Sequence, residues 1–221
     1  MLGYVIVAVT AYLLGSIPTG YLVARAKGID IRTVGSGNIG ATNAMRALGK
    51  PAGIFVLLVD ALKGYAACYA GIIIYANFGP ASEIHSLADL SALIQQAQNC
   101  VIVAGLFAVL GHNFPCWLKF KGGKGIATSA GVYLALAPWA LLIAAVVFLV
   151  ALLATRYVSV GSISAAVALP AAVWILPPHN PWLGIVTTVL GVMAIYKHKG
   201  NLQRLAAGTE SRLQFKKKET T

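Results

Sequence analysis

Residues 126–155 read IATSAGVYLALAPWALLIAAVVFLVALLAT, a stretch without a single charged residue. As one helix it would run ~45 Å at ~1.5 Å per residue, against a membrane hydrocarbon core of ~30 Å. Pro138 stands inside it, where a proline removes a helical hydrogen bond and clashes with the preceding turn. Charge decides between one crossing and two, because Lys and Arg gather in loops on the cytoplasmic side. A single crossing would put Arg156 opposite Lys119, Lys121 and Lys124. Two crossings, broken at Pro138, put all four on one face and Trp139 near the outer interface. The reading is two.

The same alternation orders the rest of the chain. The first apolar run, residues 2–24, has no basic residue before it, and Arg25 and Lys27 follow it. That is the reverse of a secretory signal, so it reads as a first crossing with its N-terminus outside. A polar loop covers 25–50, and a second crossing covers 51–77 with Pro51 at a favourable first-turn position. Residues 77–99, NFGPASEIHSLADLSALIQQAQN, carry Glu83 and Asp89 but no Lys or Arg. They predict an outside loop with a short surface helix at its end. The third run, 100–111, is short. Runs at 158–176 and 182–196 flank an outer turn, PPHNP, and the basic tail from Lys197 stays inside. Trp174 and Trp182 at outer ends, with Trp117, Tyr157 and Tyr196 at inner ends, fit an aromatic belt. The expected fold is an all-α membrane protein. It is a single polytopic domain, 1–221, with seven short transmembrane helices, its N-terminus outside and its C-terminus cytoplasmic.

Composition agrees. Of the 221 residues 58% are hydrophobic and 10% charged, with mean hydropathy +0.78, whereas soluble domains average about 25% charged. The net charge of +11 would suit nucleic acid if it were clustered. Here every Lys and Arg except Lys63 lies in polar stretches on one side, which suits an anionic leaflet and an anionic substrate. Cys68, Cys100 and Cys116 have no CxxC spacing, so neither a disulfide nor a metal site is expected.

The inner stretches carry the chemistry. Gly35-Ser36-Gly37-Asn38-Ile39-Gly40 matches the dinucleotide fingerprint in letters, but no strand precedes it and no βαβ unit surrounds it. Glycines instead allow close backbone approach. Backbone amides with Ser36, Asn38, Thr42 and Asn43 supply neutral donors, and Arg46 adds a cation suited to forked contact with phosphate. The segment GHNFPCWLKFKGGKG, 111–125, lacks the Ser or Thr that would complete a Walker motif after Lys124. It offers His112 and Asn113, then lysines around Gly122 and Gly123. Lys124, glycine-flanked and opening a helix, predicts anion binding. Ser159 and Ser162 begin the next inner end, where helix capping is an equal reading. Past the last crossing come His198, Asn201, Arg204 and Glu210, with His198 and Asn201 spaced to share a helical face. Asp60 and Lys63, inside the second crossing, predict a mutual ion pair facing the bundle interior.

Together GSGNIGATNAMR, DALKG, GHNFPCWLKFKGGKGIAT, SVGSIS and KHKGNLQRLAAGTE resemble, in order from residue 35 to 210, the bacterial acyl-phosphate:glycerol-3-phosphate acyltransferases. The resemblance implies seven helices and Gly-rich cytoplasmic active-site loops in the bacterial inner membrane. It also implies acyl transfer from acyl phosphate to the 1-hydroxyl of glycerol 3-phosphate, giving lysophosphatidic acid and phosphate. Carried over by motif, the catalytic residues are Ser36, Arg46, Lys124, His198 and Asn201. Gly37, Asn38, Thr42, Asn43, His112, Asn113, Gly122, Gly123, Ser162, Arg204 and Glu210 are expected to bind substrate or phosphate. No cofactor, nucleic acid or obligate protein partner is expected, and the chain is expected to be a monomer in the bilayer. The competing class is a transporter of a phosphorylated anion, which would favour two related halves with broken helices at mid-membrane; no repeat is visible in the sequence.

Overall fold

A computed structural model describes residues 2–79, 85–177 and 179–213. Those residues are helical or irregular and contain no strand. They cluster into two compact units, Met1–Pro138 and Trp139–Thr221. Glu83 of the expected outer loop and the last lysines of the tail lie outside the described residues.

In the first unit the opening run is two helices, α1 (Leu2–Ser16) and α2 (Thr19–Arg25), broken at Ile17–Pro18. The expected single crossing is thus interrupted by the proline that hydropathy alone passes over. The loop after it holds a 3-10 turn, Ile31–Thr33, and an unexpected helix, α3 (Ala41–Leu48). Then come α4 (Lys50–Phe78), α5 (Leu87–Asn113), a 3-10 turn at Cys116–Leu118, and α6 (Ile126–Leu136). α5 starts well before the expected third run. Ser86 caps it, its Oγ accepting from the Asp89 amide at 3.1 Å and donating to the Asp89 carboxylate at 2.8 Å, a reciprocal N-terminal box. What read as a loop with a short surface helix is therefore mostly the first turns of one long helix.

α1 packs on α4 and α5, and α4 packs on α3, α5 and α6. The seams are glycines. A side chain at Gly15 would overlap the Ala108 carbonyl, one at Gly111 the Tyr12 carbonyl, and one at Gly131 the Ala61 carbonyl. Apolar side chains gain little by leaving lipid for one another, so small residues that let backbones touch are what binds such helices. The loops after α2 and α5 fold back on an apolar cluster of Ala24, Ile31, Ile39, Ala44, Val56 and Leu118.

The second unit comprises α7 (Pro138–Thr155), α8 (Val158–Ile175), α9 (Pro181–Lys197) and α10 (Lys199–Ala206). The break expected at Pro138 is present, with Ala137 between α6 and α7. α8 packs on α9, and Gly161 of α8 lies against Phe148 of α7. α10, beyond the last run, is the helix that the spacing of His198 and Asn201 suggested, with bounds the sequence did not give.

Among the described residues five stretches are long and apolar enough to cross a membrane: Leu2–Arg25, Lys50–Phe78, Leu87–Leu118, Pro138–Thr155 and Val158–Ile175. Ile126–Leu136 and Pro181–Lys197 are apolar but shorter. Outward-facing Leu57, Leu58 and Leu62 on α4, and Leu149, Val150 and Leu153 on α7, suit contact with lipid.

Candidate active site

In the first unit the Gly-rich loop is organised by one side chain. Asn43, buried near the start of α3, accepts from the Ser36 amide at 2.9 Å. Its amide nitrogen faces the carbonyls of Ile31, Val34 and Asn38 at 3.2, 2.9 and 2.9 Å. Asn38 in turn accepts from the Gly40 amide at 2.8 Å. Gly35 and Gly37 sit at φ of 60° and 69°, the left-handed region where other residues are strained. Asn43, expected to touch phosphate, spends its side chain on the backbone, and Asn38 spends its side-chain oxygen there, because a loop with this little regular structure leaves its peptide groups to be paired by side chains.

The same holder presents Ser36, half-buried, and Arg46, exposed on α3 one turn beyond Thr42. The neighbouring cation, Arg32, is forked onto Asp30 at 2.7 Å, so it neutralises its own carboxylate.

The second glycine-rich turn of this unit follows α5. Gly122 and Gly123 donate their amides to the carbonyls of Asn113 and His112 at 3.2 and 3.0 Å. A Cβ at Gly122 would overlap the His112 carbonyl and Pro115, and one at Gly123 would overlap the His112 ring. These four residues, also expected to bind substrate, build the turn from behind: His112 is 5% exposed and Asn113 fully buried. The turn delivers Lys124, half-buried, to the start of α6. Gly125 caps that helix with no side-chain bond to its amides, which leaves a positive helix end beside an ammonium group.

Beneath these turns lies the Asp60–Lys63 pair at 2.9 Å, both residues buried. The expected partnership is present, and it is wider than a pair. Thr19 donates to Asp60 at 3.0 Å, Lys63 donates to the Ile17 carbonyl at 2.8 Å, and the His112 Nδ1 lies 3.7 Å from Asp60. Thr19 and Ile17 were missed by sequence reasoning; the Pro18 break, which leaves a carbonyl without its helical donor, was the available signal.

In the second unit Glu210 gathers the polar groups. It accepts from Ser159 at 2.9 Å, Asn201 at 2.6 Å and Arg204 at 2.8 Å. Burial alone would raise its carboxyl, but the bonds from Asn201, Arg204 and Ser159 outweigh burial and hold it below its ordinary value. Arg204 and Glu210, expected to bind substrate, are thus joined to each other. Ser162 donates to the Val158 carbonyl one turn back at 2.9 Å, a bond inside the helix, and the capping reading fails because Tyr157 is the N-cap of α8 and makes no side-chain cap bond. His198 sits at the α9–α10 junction, 3% exposed, with Nδ1 2.7 Å from the Ala194 carbonyl. A carbonyl can only accept, so Nδ1 carries the proton and Nε2 is the basic nitrogen. Asn201 follows one turn later, its own amide held by the His198 carbonyl at 2.8 Å.

Each unit therefore presents cations and donors where helices end, an arrangement suited to phosphorylated ligands. The family model for glycerol-3-phosphate acyltransferase matches residues 5–208. The chain is 46% identical over 214 residues to the glycerol-3-phosphate acyltransferase of Geobacter metallireducens, covering 97% of this chain and 100% of that one. It is 43% identical to that of Trichlorobacter lovleyi over 92% of this chain and 94% of the relative. Among solved structures it resembles PlsY (YgiH), an integral membrane glycerol 3-phosphate acyltransferase. The TM-score is 0.81 to the glycerol 3-phosphate form and 0.78 to the lysophosphatidic acid form, at 36% identity. Both comparisons cover 96% of this chain, and 96% and 95% of the two PlsY chains. With its several long apolar helices the protein is a multi-pass membrane protein. By the family match along nearly its whole length and by these relatives, the chain belongs to the glycerol-3-phosphate acyltransferase family.

Proposed function

We propose that this enzyme moves a fatty acyl group from acyl phosphate to the 1-hydroxyl of glycerol 3-phosphate, yielding 1-acylglycerol 3-phosphate and inorganic phosphate. The reaction takes place at the cytoplasmic face of a bacterial inner membrane, which seven helices cross with the N-terminus outside. The observation that carries this reading is the likeness to PlsY in forms named for glycerol 3-phosphate and lysophosphatidic acid. One is the acyl acceptor and the other the acylated product of this reaction.

Acyl phosphate is a mixed anhydride whose phosphate leaves readily, so no covalent enzyme intermediate is required. The 1-hydroxyl oxygen attacks the acyl carbon, the bond from that carbon to the phosphate oxygen breaks, and the electron pair departs on phosphate. Arg46, Ser36 and Lys124 hold phosphate and stabilise the charge that gathers on it. His198 and Asn201 orient glycerol 3-phosphate, and Glu210 keeps Asn201 and Arg204 in place. Two acceptors suit the hydroxyl proton: Nε2 of His198 and a non-bridging phosphate oxygen of a bound substrate. A His198→Gln variant separates them, since loss of the acid limb of the rate profile along with the rate marks the imidazole.

The test is purified protein in lipid with palmitoyl phosphate and labelled glycerol 3-phosphate. Labelled lysophosphatidate is expected with acyl phosphate as donor. Product from an acyl thioester alone, or anion flux through sealed vesicles without turnover, would overturn the reading.

A further inference from the structure

The buried charges under the inner turns lie where two structures meet, and nothing in the chemistry above uses them. Asp60 touches three elements at once. Through Thr19 it holds the first residue of α2, and the next residue, Gly20, is pressed so tightly against Ile39 that a Cβ there would overlap the Ile39 carbonyl. Ile39 belongs to the Gly-rich loop that carries Ser36. Through the His112 Nδ1, 3.7 Å away, Asp60 faces the ring against which Gly123 rests, immediately before Lys124. Through Lys63, which also reaches the Ile17 carbonyl, it is tied to the α1–α2 break.

Burial makes this costly to maintain for stability alone. Charges inside a membrane-spanning helix are expensive, and a buried pair is often replaceable by apolar residues without loss of stability. Asp60, Lys63 and Thr19 are exposed by only 2%, 6% and 5%. A carboxylate that accepts from Thr19 at 3.0 Å on one side and lies 3.7 Å from the His112 Nδ1 on the other is what an apolar substitute could not reproduce.

We propose that Asp60, balanced by Lys63, is a positioning residue. It sets the spacing between the Ser36–Arg46 loop and the Lys124 turn, through Thr19 on one side and His112 on the other, without touching substrate. This rests on the reading that both turns hold phosphate groups.

The experiment pairs kinetics with a distance that needs no substrate. Asp60→Asn with Lys63→Met removes both charges together, so no buried charge is left alone. Spin labels at Val34→Cys and Lys121→Cys, both exposed positions, report the spacing of the two turns in a background lacking the native cysteines. The double variant should remain monodisperse, with a broadened label distance. Its kcat should fall by about 10²-fold, well beyond any rise in KM, since misplacement on the order of 1 Å costs that much. Normal kcat and an unchanged distance in the double variant would overturn the proposal and leave the pair a support of the fold only. If the double variant does not fold, Thr19→Val decides. That change keeps the ion pair and removes only the link to α2. It should widen the distance distribution and lower kcat, and wild-type values for both would be equally fatal. The distance measurement stands even if acyl phosphate is not the donor, so the two readings fail separately.

Discussion

Asn43→Ala distinguishes a residue that builds the phosphate loop from one that binds substrate. The native side chain accepts one amide proton, from Ser36, and gives its two protons among three carbonyls. Removing it strands several peptide groups in a half-buried loop. At roughly 1 kcal/mol for each bond lost, and up to about 3 for a group left buried and unpaired, the loop should lose about 3–5 kcal/mol. The helices outside the loop do not depend on Asn43, so the loss falls on local opening rather than on the whole fold. Since about 1.4 kcal/mol is a factor of ten, opening should rise by roughly 10²-fold to several thousand-fold. Hydrogen exchange read by mass spectrometry over residues 31–43 measures this directly, with α5 peptides as the internal reference. Fast exchange confined to 31–43, with turnover lost in parallel, is expected. Native protection in the loop with only a raised KM would mean that Asn43 meets substrate, and the assignment above would be refuted.

Arg46→Ala should lower turnover by about 10²–10³-fold with folding intact, and Arg46→Lys should recover only part, since an ammonium group lacks the fork; a near-native rate in Arg46→Ala would remove it from the site. Gly123→Ala drives a methyl into the His112 ring, costing about 1–3 kcal/mol by overpacking, and should displace Lys124 so that phosphate affinity falls more than thermal stability. Glu210 titrates below its ordinary value of 4.5, so the stability it contributes is complete above that pH and is lost as pH falls through the lowered value. Glu210→Gln should flatten that acid limb of a melting-temperature profile, and an unchanged limb would contradict the bonding described. Glu210→Ala should cost more than Glu210→Gln, about 2–4 kcal/mol, because Asn201 and Ser159 lose a buried acceptor.

Much of the helix order was legible because it rests on bulk properties. The uncharged length of 126–155 and the placement of Arg156 reveal the break at Pro138 without any structure. The Pro18 break was hidden for the opposite reason: both flanks are apolar, so charge gave no warning. The first turns of α5 were obscured by Gln95, Gln96 and Asn99, which look like loop residues in composition. The Ser86–Asp89 spacing that starts the helix was nevertheless readable. Among the candidate site residues, Arg46, Lys124 and His198 announce themselves by chemistry and position. Asn43, His112 and Glu210 could be flagged and were expected to meet substrate, but the contacts they make could not be read, because their partners are backbone groups or residues some 50 positions away. A polar side chain looks the same in a sequence whether it faces a phosphate or a carbonyl.

Phosphate release followed with and without the acceptor tests direct transfer most closely. Enzyme mixed with acyl phosphate alone should release no phosphate beyond background. On addition of glycerol 3-phosphate, phosphate and lysophosphatidate should appear together, one for one. A burst of phosphate equal to the enzyme concentration before the acceptor is added would reveal an acyl-enzyme and contradict the account.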